Sequence, residues 1–226
     1  AYAVCCLEEH CDSPHRKRKM YIKKKLQAAR CITAVGILLL AAAMALLTYN
    51  LWDSHRAGLS QQQILEEYNK INPQTMDTAV DVRSRTEEYP LDPDREMPEV
   101  FLENPKGAAC IGVLEIPELA LQLPVMSEWS YPLLRKAPCR YSGSAYQDNL
   151  VIAAHNYASH FGRLRTLKTG SKVYFTDVEG NRFSYQVAVI EALTPQSIEE
   201  MTGGEWPLTL FTCTWDGKNR VTVRCE

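Results

Sequence analysis

A cysteine and an arginine near the end of the chain, Cys213 and Arg220, flank a turn in a way that could do chemistry. Pro207 to Cys213 is apolar and β-branched, and Arg220 to Cys225 alternates polar and apolar, so both stretches read as strands. Asp216-Gly217 between them is a two-residue hairpin signal, because both residues tolerate the positive φ that a type I′ turn demands. That turn pairs each residue i with 433 − i, which sets Cys213 opposite Arg220 and Thr209 opposite Arg224. Opposed residues of an antiparallel pair share a face, with Cβ atoms about 4.5–5.5 Å apart. A longer loop with the same centre keeps this pairing, whereas a slip of one residue breaks it. A sulfur nucleophile beside a guanidinium fits attack on a carbonyl, since the guanidinium can donate two hydrogen bonds to the oxyanion that develops. The plainer reading is a strand cysteine next to a solvated arginine, and a base decides between them.

Three histidines follow residue 50: His55, His155 and His160. His155 comes directly after the strand-like Asn149-Leu-Val-Ile-Ala-Ala154, where the chain leaves a sheet and its polar groups reach a site. A histidine in that place is also a common structural residue. His160, in Ser-His-Phe-Gly, is the weaker candidate, and His55 reads as an ordinary surface residue.

The elements that must position these groups begin with a charge imbalance. The net charge is −2, yet residues 1–30 hold eight Lys/Arg against three acids, while the rest holds seventeen against twenty-four. No nucleic-acid partner is expected. Cys31 to Tyr49 carries no charge, and as a helix these nineteen residues extend about 28 Å, close to a hydrocarbon core of about 30 Å. Basic residues from Arg16 to Arg30 precede it, so the positive-inside rule puts the N-terminus in the cytoplasm and everything after Asn50 outside. A cleaved signal peptide is the alternative, with Ala43-Met-Ala45 as a passable site, but the apolar run is long for one.

Cys5, Cys6, His10, Cys11 and His15 fit no zinc spacing well, and neither metal nor cofactor is expected. Ile64, Leu65, Tyr68 and Ile71 predict a short amphipathic helix over 59–71, a stalk or a helix packed on the domain. The Pro-rich, charged stretch 73–106 reads as a linker, part of which can lie across the domain as a lid. Seven strand-like stretches then crowd the last part of the chain, which argues for an all-β barrel or sandwich. The expected division is a basic tail (1–30), a transmembrane anchor (31–49), a helical stalk and linker (50–107) and a catalytic domain (108–226). Cys110, Cys139, Cys213 and Cys225 are even in number, which invites disulfides outside the cell, with Cys110–Cys139 a candidate; Cys225 falls on the core side with Val221 and Val223.

Thr209-Leu-Phe-Thr-Cys213 resembles the TLxTC signature of sortases, the cysteine transpeptidases of Gram-positive cell surfaces. Ala153-Ala-His155-Asn-Tyr resembles their histidine motif, Arg220-Val-Thr-Val-Arg their arginine strand, and Ile111-Gly-Val-Leu-Glu-Ile-Pro117 their opening strand. Ala154 stands where many sortases have Gly. The resemblance implies a closed barrel of about eight strands in which Cys213 is the nucleophile, His155 the general acid and base, Arg220 the oxyanion and substrate clamp, and Thr212 an oxyanion-stabilising residue. It also implies that surface proteins with a C-terminal LPxTG-like sorting signal are substrates, and that a peptidoglycan-precursor or pilin amine is the acceptor. A cysteine peptidase that hydrolyses its substrate and a non-catalytic peptide-binding domain are the competing readings.

Overall fold

The computed structural model describes residues 14–73, 92, 94–203 and 205–226, with side chains from residue 18 onward. The N-terminal cysteines and most of the 73–106 linker, including its expected lid, lie outside the described residues. Residues up to Leu51 and residues from Trp52 on form two compact units.

Helix α1 runs without a break over Pro14–Ile71, so the predicted apolar span and amphipathic helix are parts of one element. Asn72 donates its main-chain N–H to Tyr68 as the helix ends, and Pro73 follows, whose ring disfavours helical backbone at the residue before it. Among the described residues, α1 is the one helix long and apolar enough to cross a membrane, and Ile32, Leu38 and Leu40 of its apolar run are exposed. Within the second unit, Ala57, Gln61, Ile64 and Tyr68 are buried at spacings of four, three and four residues, the signature of one helical face. Ile64 and Tyr68 pack with Val113, Met126 and Val151 on the outside of the sheet. Each such side chain contributes about 1.5–3 kcal/mol when fully buried. Of the two readings of 59–71, the packing fits the docked helix.

The sheet comprises β1 (Val100–Phe101), β2 (Ala109–Ile116), β3 (Leu121–Met126), β4 (Cys139–Ser142), β5 (Leu150–Ala153), β6 (Lys172–Asp177), β7 (Arg182–Leu193), β8 (Leu208–Cys213) and β9 (Arg220–Cys225). Its order is β1-β2-β3-β4-β5-β8-β9-β7-β6, and β2 also pairs with β6. Strands β2 to β9 therefore close into an eight-stranded barrel, which leaves only β1 as an added edge. The interior is filled by the inward residues of successive strands, among them Leu114, Ile152, Phe175, Leu210 and Val223. Closure depends on Gly112, which has a φ of 153°, because a Cβ there would lie 2.2 Å from the Thr176 carbonyl oxygen of β6.

Short helices fill two connections: α2 (Tyr131–Leu134) between β3 and β4, and α3 (Ile198–Thr202) between β7 and β8. Strand β4 escaped the sequence pattern because it is four residues long and pinned between Pro138 and Gly143. The candidate disulfide is absent: Cys110 and Cys139 are buried free thiols, and their Sγ atoms donate to the carbonyls of Gly112 and Ala137. Burial pushes both thiols, and that of Cys225, up to about 12, which makes them inert packing groups.

Candidate active site

The turn between β8 and β9 is longer than a two-residue hairpin. The Thr214 N–H donates to the Asn219 carbonyl at 2.9 Å to close the ladder, the Gly217 N–H donates to the Thr214 carbonyl within the turn, and Gly217 takes the positive φ of 72° while Asp216 does not. The Asp216 carboxylate instead accepts from the Thr214 hydroxyl at 2.6 Å and the Lys218 N–H at 3.2 Å. The centre of the loop is unchanged, so the register is the one the turn chemistry predicts: Cys213 opposite Arg220 and Thr209 opposite Arg224. Hydrogen-bonded and non-hydrogen-bonded pairs alternate along an antiparallel ladder, and the Thr214–Asn219 bond makes Cys213–Arg220 a non-hydrogen-bonded pair, the kind whose side chains come closer.

On its other side β8 runs parallel to β5, with Ala153 beside Phe211, and Ala154 donates to the Phe211 carbonyl. β5 ends at Ala153, so His155 begins the loop two residues beyond it, on the side of β8 opposite to β9, which sets Arg220 against Cys213. The face of β8 that carries Cys213 is the outer one, since Phe211 packs outside the barrel while Leu210 packs inside.

Cys213 and Arg220 are both half-buried. Nη1 of Arg220 donates to the carbonyls of Gly217 and Asn219 at 3.3 and 3.1 Å, which draws the side chain along the loop. Among the described residues no carboxylate forms an ion pair with it. Thr212 departs from expectation. It sits on the opposite side of β8 from Cys213, its partner Val221 packs on the interior cluster, and its buried hydroxyl meets no hydrogen-bond partner among the described residues. As a hydrogen-bonded ladder pair with Val221, its N–H is also turned to β9. Period-two alternation alone places residues 212 and 213 on opposite faces, a signal available in the sequence.

His155 begins a loop folded tightly on itself. Phe161 donates to the His155 carbonyl, and His160 and Gly162 donate to that of Tyr157. A Cβ on Gly162 would fall 2.8 Å from that same Tyr157 oxygen. The His155 ring packs against Tyr157 at 5.1 Å between centroids, with the planes 44° apart. Burial lowers the pKa of His155 below its ordinary value and the Arg135 charge lowers it further, while the Asp53 carboxylate works the other way. A neutral imidazole at physiological pH is the form that accepts a thiol proton. His160 is fully buried beneath α1, with both ring nitrogens outside hydrogen-bond geometry and only weak support from the Ala57 main chain. Burial and the neighbouring His155 push it down to about 4, so it is a packing group.

Aromatic side chains lead away from the site. Phe211 meets Tyr141 edge-on at 5.2 Å, Tyr141 meets Trp129 at 6.1 Å, and Trp129 meets Tyr131 at 5.1 Å. Trp129 and Tyr141 line an open cleft of about 480 Å³ together with Ser127, Glu128, Arg140 and Ser142.

The sequence profile of the sortase domain family matches residues 114–226, half of the chain, including β5, β8 and β9 with His155, Cys213 and Arg220. The chain belongs to the sortase family. It is accordingly a sortase-type cysteine transpeptidase. Solved structures similar to this sortase include sortase C1 from Streptococcus suis, at 27% identity over 52% of this chain and 72% of that one, with a TM-score of 0.45. Sortase C from Clostridium perfringens SM101 matches at 22% identity over 74% and 88%, with a TM-score of 0.45. A lid mutant of sortase A from Corynebacterium diphtheriae matches at 22% identity over 54% and 72%, with a TM-score of 0.46. A comparison with curated proteins returns no match.

Proposed function

We propose that the chain is a membrane-anchored transpeptidase that cleaves an LPxTG-like sorting signal and transfers the acyl part to an amine of the cell wall or of a pilin. The β8–β9 register that sets Arg220 opposite Cys213, with the parallel β5 running along the other side of β8 and leading into His155, supports this reading. The Cys213 sulfur attacks the carbonyl carbon of the signal's Thr as His155 takes the thiol proton. The Arg220 guanidinium, which has no carboxylate partner among the described residues, donates to the oxyanion. The imidazolium returns its proton to the departing Gly amine, the C–N bond breaks and a thioester remains. The acceptor amine then attacks the thioester, its proton passes through His155, and the sulfur leaves as the thiol. Thr212 has no part in these steps, because its hydroxyl is buried on the other face.

Half-buried Tyr141 and exposed Trp129, packed on from the buried Phe211 two residues before Cys213, offer an apolar, edge-rich surface suited to the Leu and Pro side chains of such a signal. The charge-free run 31–49, behind the basic residues 16–30, supports an anchor with the N-terminus in the cytoplasm and the barrel outside. Residues 50–107 then join that anchor to the catalytic domain at 108–226.

The test gives the full chain, in detergent, a mixture of sorting peptides with and without an added amine. Amine-conjugated product from the wild type and none from Cys213→Ala is expected. Hydrolysed product alone, whatever the amine concentration, would make the enzyme a peptidase.

A further inference from the structure

Asp53 lies only a few residues beyond the apolar run, where its sequence position gives it no more than a flanking charge. In the structure it is the centre of a small polar assembly within the barrel unit. The Tyr157 hydroxyl donates to Asp53 Oδ2 at 2.6 Å, and Arg135, just past α2, donates from Nη2 to Oδ1 at 3.3 Å. The ring of that same Tyr157 packs against His155 on one side and meets His160 at 5.5 Å on the other. One turn further along α1, Ala57 is buried and a Cβ on Gly58 would lie 3.4 Å from Ser159, so the helix backbone passes close to the histidine loop there.

We propose that Asp53, acting through the Tyr157 hydroxyl and braced by Arg135, positions the His155 ring, so that the start of α1's barrel-packed segment is a working part of the active site. This rests on the reading of His155 as the acid–base group. Tyr157 and Asp53 are positioning residues: Tyr157 packs on the His155 ring and Asp53 acts through the Tyr157 hydroxyl. A ring held on one face only by packing is free to tilt. Fixing the tyrosine at its far end with a charge-assisted hydrogen bond removes that freedom, and misplacement of a catalytic group by about 1 Å can cost on the order of a hundredfold in rate. Asp53 and Arg135 also act on His155 electrically in opposite senses, Asp53 favouring the imidazolium and Arg135 the neutral ring. Among the described residues, the charged and titratable groups that bear on His155 are Asp53 from α1, Arg135 from the end of α2, and Tyr157 and His160 from its own loop, with Arg56 of α1 acting on Asp53.

The experiment compares full-length wild type, Tyr157→Phe, Asp53→Asn and Arg135→Gln, all near-isosteric, by histidine-labelled NMR titration and by peptide cleavage. The His155 resonance is assigned by its loss in His155→Gln. Asp53→Asn should lower the His155 midpoint and Arg135→Gln should raise it. Tyr157→Phe should reduce kcat about tenfold with KM nearly unchanged. A midpoint that stays put in both charge variants, with kcat unaltered in Tyr157→Phe, would overturn the proposal and leave the assembly a packing feature. The titration is read without turnover, so a failure of the proposed reaction, seen as wild type that cleaves no sorting peptide, is distinguishable from a failure of this inference.

Discussion

Arg220 and Arg224 stand four residues apart on one strand and one face, yet they live in different surroundings. Arg224, opposite Thr209, is 3% exposed and has its donors taken: Nε by the Glu191 carboxylate at 2.9 Å, Nη1 by the Met201 carbonyl and the Thr209 hydroxyl at 3.1 Å each, and Nη2 by the Glu200 carbonyl at 2.6 Å. It staples α3 and the connection before β8 to the barrel wall. Arg220, opposite Cys213, is half-buried and bonded through one nitrogen to two loop carbonyls. The same residue type is structural where the fold uses up its hydrogen bonds, and on the proposed mechanism it is chemical where the fold leaves them to a substrate.

That contrast breaks most easily by deletion. Arg220→Ala should lower kcat/KM about 10²–10³-fold, the usual loss for an oxyanion donor, with the thermal unfolding midpoint hardly moved. Arg220→Lys should rescue little, because an ammonium lacks the planar fork. Arg224→Ala should do the reverse: a loss of about 2–4 kcal/mol in denaturant unfolding, since buried carbonyls lose their donor, with activity per folded molecule changed only a few-fold. If Arg224→Ala were the more damaging to turnover, the two ends of the ladder would have to exchange roles.

The two histidines of the loop repeat the comparison. His155, the proposed acid–base group, is half-buried, while His160, at 0% exposure, is neutral in the folded chain, with its pKa pushed down from 6.5 to about 4. The unfolded chain binds this proton below about pH 6.5 and the folded one does not until about pH 4. Stability is therefore fully present above pH 6.5 and drains as the pH falls through that window, by roughly 3 kcal/mol. His160→Phe should flatten this slope in urea melts taken at several pH values, whereas His155→Gln should leave most of it.

The smallest effect belongs to Thr212. Replacing its buried, unpartnered hydroxyl in Thr212→Val should leave kcat/KM within about twofold and raise stability by up to about 1 kcal/mol. A large loss of activity would restore the oxyanion role that the TLxTC resemblance assigns to it.

How far the sequence carried depended on distance along the chain. The Cys213–Arg220 pairing was legible because it is local: Asp216-Gly217 marks the centre of the loop, and the register survives even though four residues, not two, form the turn. The pairing that runs β5, and so the start of the His155 loop, along β8 was not legible from local chemistry. It joins parallel strands more than fifty residues apart, and only the family resemblance pointed to His155 as Cys213's partner. The docked face of α1 was half legible, since Ile64 and Tyr68 follow helical spacing while Ala57 and Gln61 carry no apolar signal strong enough to mark them. The Asp53–Tyr157 contact left no trace at all. An acid after an apolar run reads as a flanking charge until the loop folds back to meet it.

The most direct test of the central claim is intact-mass and peptide-level mass spectrometry of the enzyme incubated with a sorting-peptide library in the absence of amine. An adduct with the mass of the peptide's acyl portion, ending at Thr, is expected on the fragment that contains Cys213, and much less of it in His155→Ala and Arg220→Ala. An adduct on another cysteine, or cleaved peptide from a Cys213→Ala enzyme, would contradict it.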